Sequence, residues 1–100
     1  MLERRLDPRA PAPLLVNKYI AGQPYFCHVS DISWSGARLL RTLEPDAPRA
    51  VFPLEVGLPE GVVWIWTRHV WTAGRQQAVR FVGMDGRDEA ILERYLRGAN

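Results

Sequence analysis

The chain reads as a mainly β protein, a small antiparallel β-barrel closed by one C-terminal helix. Three observations point there. Short apolar-rich segments recur at near-regular spacing from residue 14 to residue 82, divided by Gly- and Pro-containing turns. Several of them alternate with period two, the pattern of a half-buried strand. The period then changes: Ile91, Leu92, Tyr95 and Leu96 fall on one helical stripe.

Leu14–Ile20 is the first expected strand. Ala21-Gly22-Gln23-Pro24 has turn chemistry, because glycine accepts positive φ and proline fixes its own. Tyr25–Ile32 follows as the second arm of a hairpin. Ala37–Arg41 is short and β-compatible, and Glu44–Pro48, with Pro45, Asp46 and Pro48, reads as a loop. Val51–Leu58 places Phe52, Leu54, Val56 and Leu58 on one face; Pro53 within it argues for an edge strand or a bulge. Pro59-Glu60-Gly61 turns the chain into Val62–Trp71, the longest candidate strand. A turn around Gly74 leads to Gln77–Val82. The helix is expected over about 85–97, with Asp85 as its cap, Asp88 at the capping-box position and Gly98 at C′. A helix this short is unstable alone in water, so its stripe must lie on the sheet.

Composition bounds the function. One hundred residues, 47% of them apolar and 24% charged, make a single domain with a core, here residues 14–100. The longest apolar run, Val62–Trp66, is far shorter than a membrane span, so no membrane insertion is expected. Met1–Arg5 leads into prolines rather than an apolar stretch, which gives no signal peptide and a cytoplasmic expectation. One cysteine excludes an internal disulfide, and two histidines with one cysteine do not make a structural zinc site.

Residues 1–13 differ from the rest. They hold Arg4, Arg5 and Arg9 among Pro8, Pro11 and Pro13, with no apolar periodicity. This reads as a flexible arm that orders only on a ligand. Arginine is also 12 of the chain's 13 basic residues, although the net charge is only +2. Its planar fork suits phosphate and guanine edges.

No residue set supports catalysis. Cys27 and His28 are sequence neighbours and point to opposite faces of a strand, so they form no nucleophile–base pair. His69 has no partner in the pattern, and no Gly-rich phosphate loop occurs. The chain is read as a non-enzyme without metal or cofactor. Two clusters remain: Arg-x-x-x-Arg at Arg5 and Arg9, and Asp-x-Ser-x-x-Gly at Asp31, Ser33 and Gly36. About one such arginine spacing is expected by chance at this composition, whereas the second pattern is rare. Asp31 and Ser33, two apart on a strand, should share a face, and Gly36 should permit the turn.

Taken together, Arg-x-x-x-Arg in a proline-punctuated arm and Asp-x-Ser-x-x-Gly at the end of the second strand resemble the PilZ domain family. Gly36-Ala37-Arg38-Leu39 is similar to the family's segment after the motif glycine. Val79–Val82 followed by Asp88–Leu96 is similar to its last strand and closing helix. The resemblance implies a six-stranded barrel with a C-terminal helix. It also implies a bacterial receptor for cyclic di-GMP that signals to a partner protein, with Arg4, Arg5, Arg9, Asp31, Ser33 and Gly36 at the nucleotide. Trp71 sits at the end of the long strand, where some family members place a ligand-adjacent aromatic. Trp64 and Trp66 read as core or partial surface, and Arg38 and Arg80 as solvated. Two alternatives stay open: a nucleotide-independent protein-interaction adaptor, and a small basic barrel binding RNA or single-stranded DNA. Arginines with ten aromatics fit such a stacking platform, but placement argues against a polynucleotide: the arginines concentrate in the arm beside the Asp motif, where an acidic residue in a phosphate track is unhelpful. The sequence leaves the oligomeric state undetermined.

Overall fold

The computed structural model describes residues 14–45 and 50–98. Six strands and one helix follow in order: β1 (Leu14–Ile20), β2 (Gln23–Ile32), β3 (Gly36–Arg41), β4 (Val51–Leu58), β5 (Gly61–Ala73), β6 (Gln76–Gly83) and α1 (Gly86–Gly98). The strands close into an antiparallel barrel in the order β1-β2-β3-β6-β5-β4. The Arg/Pro-rich arm at 1–13 lies outside the described residues.

Alternation builds the interior. Val16 on β1, Cys27 and Val29 on β2, Leu39 on β3, Leu54 and Val56 on β4, Val63 and Ile65 on β5, and Val79 on β6 all point inward and are buried. From α1, Ile91, Leu92 and Leu96 join the same core, with Tyr95 packed at its margin. Full burial of a Leu side chain contributes about 1.5–3 kcal/mol, so this stripe holds the helix to the barrel. No helix among the described residues is long and apolar enough to cross a membrane.

Several local expectations need correction. The β1–β2 turn is only two residues, Ala21 and Gly22, both at positive φ, so β2 begins at Gln23 and Pro24 lies inside the strand. Pro24 opposes Tyr19 on β1, while β3, the neighbour on the other side, pairs only as far as Cys27. The missing donor of Pro24 therefore costs no ladder bond. Pro53 sits neither on a free edge strand nor at a bulge. It pairs with Trp66 of β5, but the β1–β4 ladder stops at Lys18↔Leu54. Continued by one pair, that ladder would set Pro53 against Tyr19, and proline has no N–H to give.

The helix is capped by Asp85, whose Oδ1 accepts the Asp88 N–H at 2.9 Å. Asp88 does not complete a capping box. Its Oδ2 instead accepts the backbone N–H of Trp64 on β5 at 3.0 Å, and its Oδ1 accepts from Arg87. Gly98 is the last helical residue rather than the one beyond the helix. A bidentate pair between Arg94 and Glu60 ties α1 to the β4–β5 turn and holds the Glu60 carboxyl below the usual carboxylate range.

Polar residues also occupy the interior. Lys18 follows the inward register of β1 and is fully buried. Its Nζ donates to Glu44 Oε1 at 2.6 Å and to Gln77 Oε1 at 2.7 Å, and lies 4.5 Å from the Phe52 ring centroid. These partners replace the hydration that an ammonium loses on burial.

Candidate functional site

Two bulges shape the outer surface where β3 meets β6. Inward residues on β2 run Cys27, Val29, and regular alternation would send Asp31 into the core. The β2–β3 register slips between Val29 and Asp31, which leaves Ser30 unopposed. Asp31 is thereby turned outward, its side chain 20% exposed, and Ile32 takes the inward place at 1% exposure. The same device operates on β5, where the register slips between His69 and Trp71 and Val70 is the extra residue. Trp71 emerges on the outer surface, 38% exposed.

The two re-aimed side chains meet in one place. Asp31, Ser33, Gly36 and Trp71 line a shallow pocket of ≈220 Å³, and Arg38 and Arg80 complete its rim. Nε of Arg38 stands 4.0 Å from Asp31 Oδ2. Arg80 opposes Gly36 on one side and Arg68 on the other. Like charges directly opposite each other on a sheet are unfavourable unless something neutralises them. Among the described residues no carboxylate pairs with Arg68 or Arg80, so this part of the surface is cationic.

Ser33 shares the pocket with Asp31, though strand alternation is not the reason. β2 ends at Ile32, and Ser33 lies in the following turn. Its Oγ donates to the Gly36 carbonyl at 3.3 Å and its N–H to the same oxygen at 2.9 Å. Gly36 is needed for closeness rather than for a left-handed turn. Positive φ occurs at Gly22, Gly61 and Gly74, not at Gly36. A Cβ at Gly36 would sit 2.3 Å from the Val79 carbonyl oxygen, so only glycine lets β3 approach β6 at the pocket floor.

β1 begins beside this pocket. Leu14, the first described residue, pairs with Val29, two residues before Asp31. Arg4, Arg5 and Arg9 themselves lie outside the described residues. Arg38 and Arg80, read from the sequence as solvated, are exposed and line the same pocket as Asp31. Their signal was positional: each takes an outward place on the two strands that form the seam.

Cys27 and His28 point to opposite faces. The thiol is fully buried and held at a pKa pushed up to about 12 by burial and by the Glu44 charge. The His28 ring packs edge-on against Phe26. His69 Nε2 lies 2.7 Å from Thr72 Oγ1.

The family model of the PilZ domain matches residues 3–98. The chain belongs to the PilZ domain family. PilZ domains are known as cyclic di-GMP receptors, and as a class they bind ligands and partners rather than catalyse reactions. No curated protein matches the sequence. Among solved structures, the PilZ domain of CeSA from a cellulose-synthesizing bacterium has a TM-score of 0.68 at 16% identity; the match covers 90% of this chain and 95% of that one. The Bacillus subtilis inhibitor of motility MotI/DgrA has a TM-score of 0.71, also at 16% identity. That match covers 96% of this chain and 51% of the other, so this PilZ chain spans about half the length of MotI. At such identities the likeness is one of fold.

Proposed function

We propose that this PilZ domain is a bacterial, cytoplasmic cyclic di-GMP receptor that passes its signal to a partner protein. The observation that carries the reading is the pocket at the β3–β6 seam, where Asp31, Ser33, Gly36 and Trp71 converge beside Arg38 and Arg80. The Asp31 carboxylate is acceptor-only and suits the N1–H and N2–H₂ donors of guanine. Arginine forks match the guanine O6/N7 edge and the phosphates. Trp71 offers a stacking face. Arg68 and Arg80, opposed without a carboxylate among the described residues, gain from a phosphate between them.

At ≈220 Å³ the pocket is smaller than the roughly 300–1,000 Å³ usual for ligand sites. A second wall is needed, and the arm that begins before Leu14 supplies it. In this mechanism Arg4, Arg5 and Arg9 close over the nucleotide, and the new surface is what the partner reads. No cofactor takes part; the nucleotide is the ligand.

Calorimetric titration with cyclic di-GMP, with GTP and cyclic di-AMP as controls, tests the reading. Selective binding is expected, and its stoichiometry distinguishes one bound nucleotide from two. Arg9→Ala is expected to weaken binding at least about tenfold, the loss of one bidentate contact. Absence of binding at high micromolar ligand, or an unchanged affinity in Arg9→Ala, overturns it.

A further inference from the structure

A second concave surface lies further back along β5, away from Val70 and Trp71. It is a groove of ≈620 Å³ whose walls include Tyr19, Pro53, Trp64 and Trp66. The cause is the interrupted β1–β4 ladder: beyond Lys18↔Leu54 the two strands part, because Pro53 has no N–H for Tyr19. Trp64 and Trp66 take successive outward positions on β5, 45% and 52% exposed, and the Tyr19 ring packs against Trp64 at a 44° tilt with centroids 5.2 Å apart. Surface tryptophans set side by side in a concave site mark a docking surface rather than scattered exposure.

The chemistry of the groove selects its occupant. An added β-strand needs a ladder of donors and acceptors along the open edge, and Pro53 interrupts that ladder. A polyproline II segment needs no ladder. It packs its rings against aromatic walls and offers its carbonyls to side-chain donors. Two such donors are present, the indole N–H groups of Trp64 and Trp66; the Tyr19 hydroxyl proton is given to Glu55. Burial and the neighbouring Glu55 charge raise the Tyr19 pKa, which keeps the hydroxyl protonated. Glu55, outside the groove's lining but hydrogen-bonded to Tyr19, supplies a charge at its margin. Its Oε1 accepts from Asn17 at 3.1 Å and from Tyr19 at 3.2 Å, and among the described residues no cation pairs with it. A carboxylate fixed in place by neutral donors favours a basic residue in the ligand.

We propose that this groove binds a proline-rich, arginine- or lysine-bearing extended segment of a partner protein. The site is separate from the nucleotide pocket and holds whether or not nucleotide binds there. The test uses the full chain and a synthetic peptide of Pro-Pro-Arg repeats, followed by NMR of the indole N–H resonances without nucleotide. Saturable binding is expected, with shifts at Trp64 and Trp66 and not at Trp71. Trp66→Ala, a change at a half-exposed side chain, is expected to weaken it at least about tenfold. Glu55→Gln is expected to weaken binding of the Arg peptide a few-fold but to leave a Pro-Pro-Gln peptide unaffected. Circular dichroism confirms that both variants keep the fold. No saturation, or equal binding of an Ala-Ala-Arg peptide, overturns the proposal. So does a P8A/P11A/P13A variant that binds the peptide more than about tenfold tighter than the parent, since the chain's own arm would then be the occupant.

Discussion

Lys18 and Glu44 meet at 2.6 Å inside the barrel, each with a side chain 1% exposed. Removal of Lys18 leaves the buried Glu44, among the described residues, only Arg41, 3.9 Å away and partly exposed, whereas removal of both takes the ion pair out of the interior. Lys18→Met is expected to destabilise the fold by about 3–5 kcal/mol, and Lys18→Met/Glu44→Leu to recover most of that loss. Urea denaturation of the three proteins checks this. Equal destabilisation in the single and double variants would exclude the pair as the source.

The Cys27 thiol is held protonated, with its pKa raised to about 12, first by burial and then by the Glu44 charge. In the unfolded chain the group titrates near the ordinary thiol value of 9.0. Between those values the folded state binds more protons, so stability is fully present below about pH 9 and falls as pH rises toward 12. Tyr19 and Tyr95, also raised, add to the decline at the upper end. Denaturation midpoints measured across this range are expected to fall less steeply in Cys27→Ala than in the parent. A thiol reagent at pH 8 is expected to label Cys27 only in denaturant.

At Gly36 the spare room is less than a methyl group. Gly36→Ala would place its Cβ 2.3 Å from the Val79 carbonyl oxygen, so β3 and β6 must part. A loss of about 1–3 kcal/mol is expected, the usual range for overpacking. Because this contact forms the pocket floor, cyclic di-GMP affinity is expected to fall beyond what the stability loss accounts for. Calorimetry at a temperature where the variant remains folded checks it.

Two aspartates three residues apart should behave differently. Asp85→Ala removes a helix cap and is expected to cost about 1 kcal/mol. Asp88→Ala leaves the Trp64 N–H without its acceptor in a part-buried place, with an expected cost of about 1–3 kcal/mol. Amide exchange separates them: Asp88→Ala is expected to speed exchange at Trp64, and Asp85→Ala to speed it only in the first turn of α1.

Period and turn chemistry made the architecture legible. Six strand segments and the stripe of Ile91, Leu92, Tyr95 and Leu96 are all visible in the sequence, and the longest strand extends only two residues past Trp71. The interior polar cluster was not legible, because a lysine at an alternating position reads as an outward residue. Lys18 points inward since Glu44 and Gln77, distant in sequence, receive it. The bulges were hidden for a similar reason. A register slip depends on the partner strand, so nothing local to Ser30 or Val70 announced that Asp31 and Trp71 would change faces. Asp31, Ser33 and Gly36 stood out as a motif, while Arg38 and Arg80 needed the β3–β6 pairing before their nearness to it could be seen.

That pairing also bears on how the chain folds. Gly36 meets Arg80 and Leu40 meets Gln76, so the strands of the seam are separated in sequence by all of β4 and β5. The β1–β2, β4–β5 and β5–β6 hairpins, by contrast, close over two-residue turns. Loop-closure entropy sets the distant pairing apart from the local ones, and barrels dominated by such contacts refold in roughly milliseconds to seconds. A seam assembled at barrel closure is absent from the open chain. Any molecule seated there binds only the native state and slows its loss, which makes occupancy of the seam a brake on unfolding.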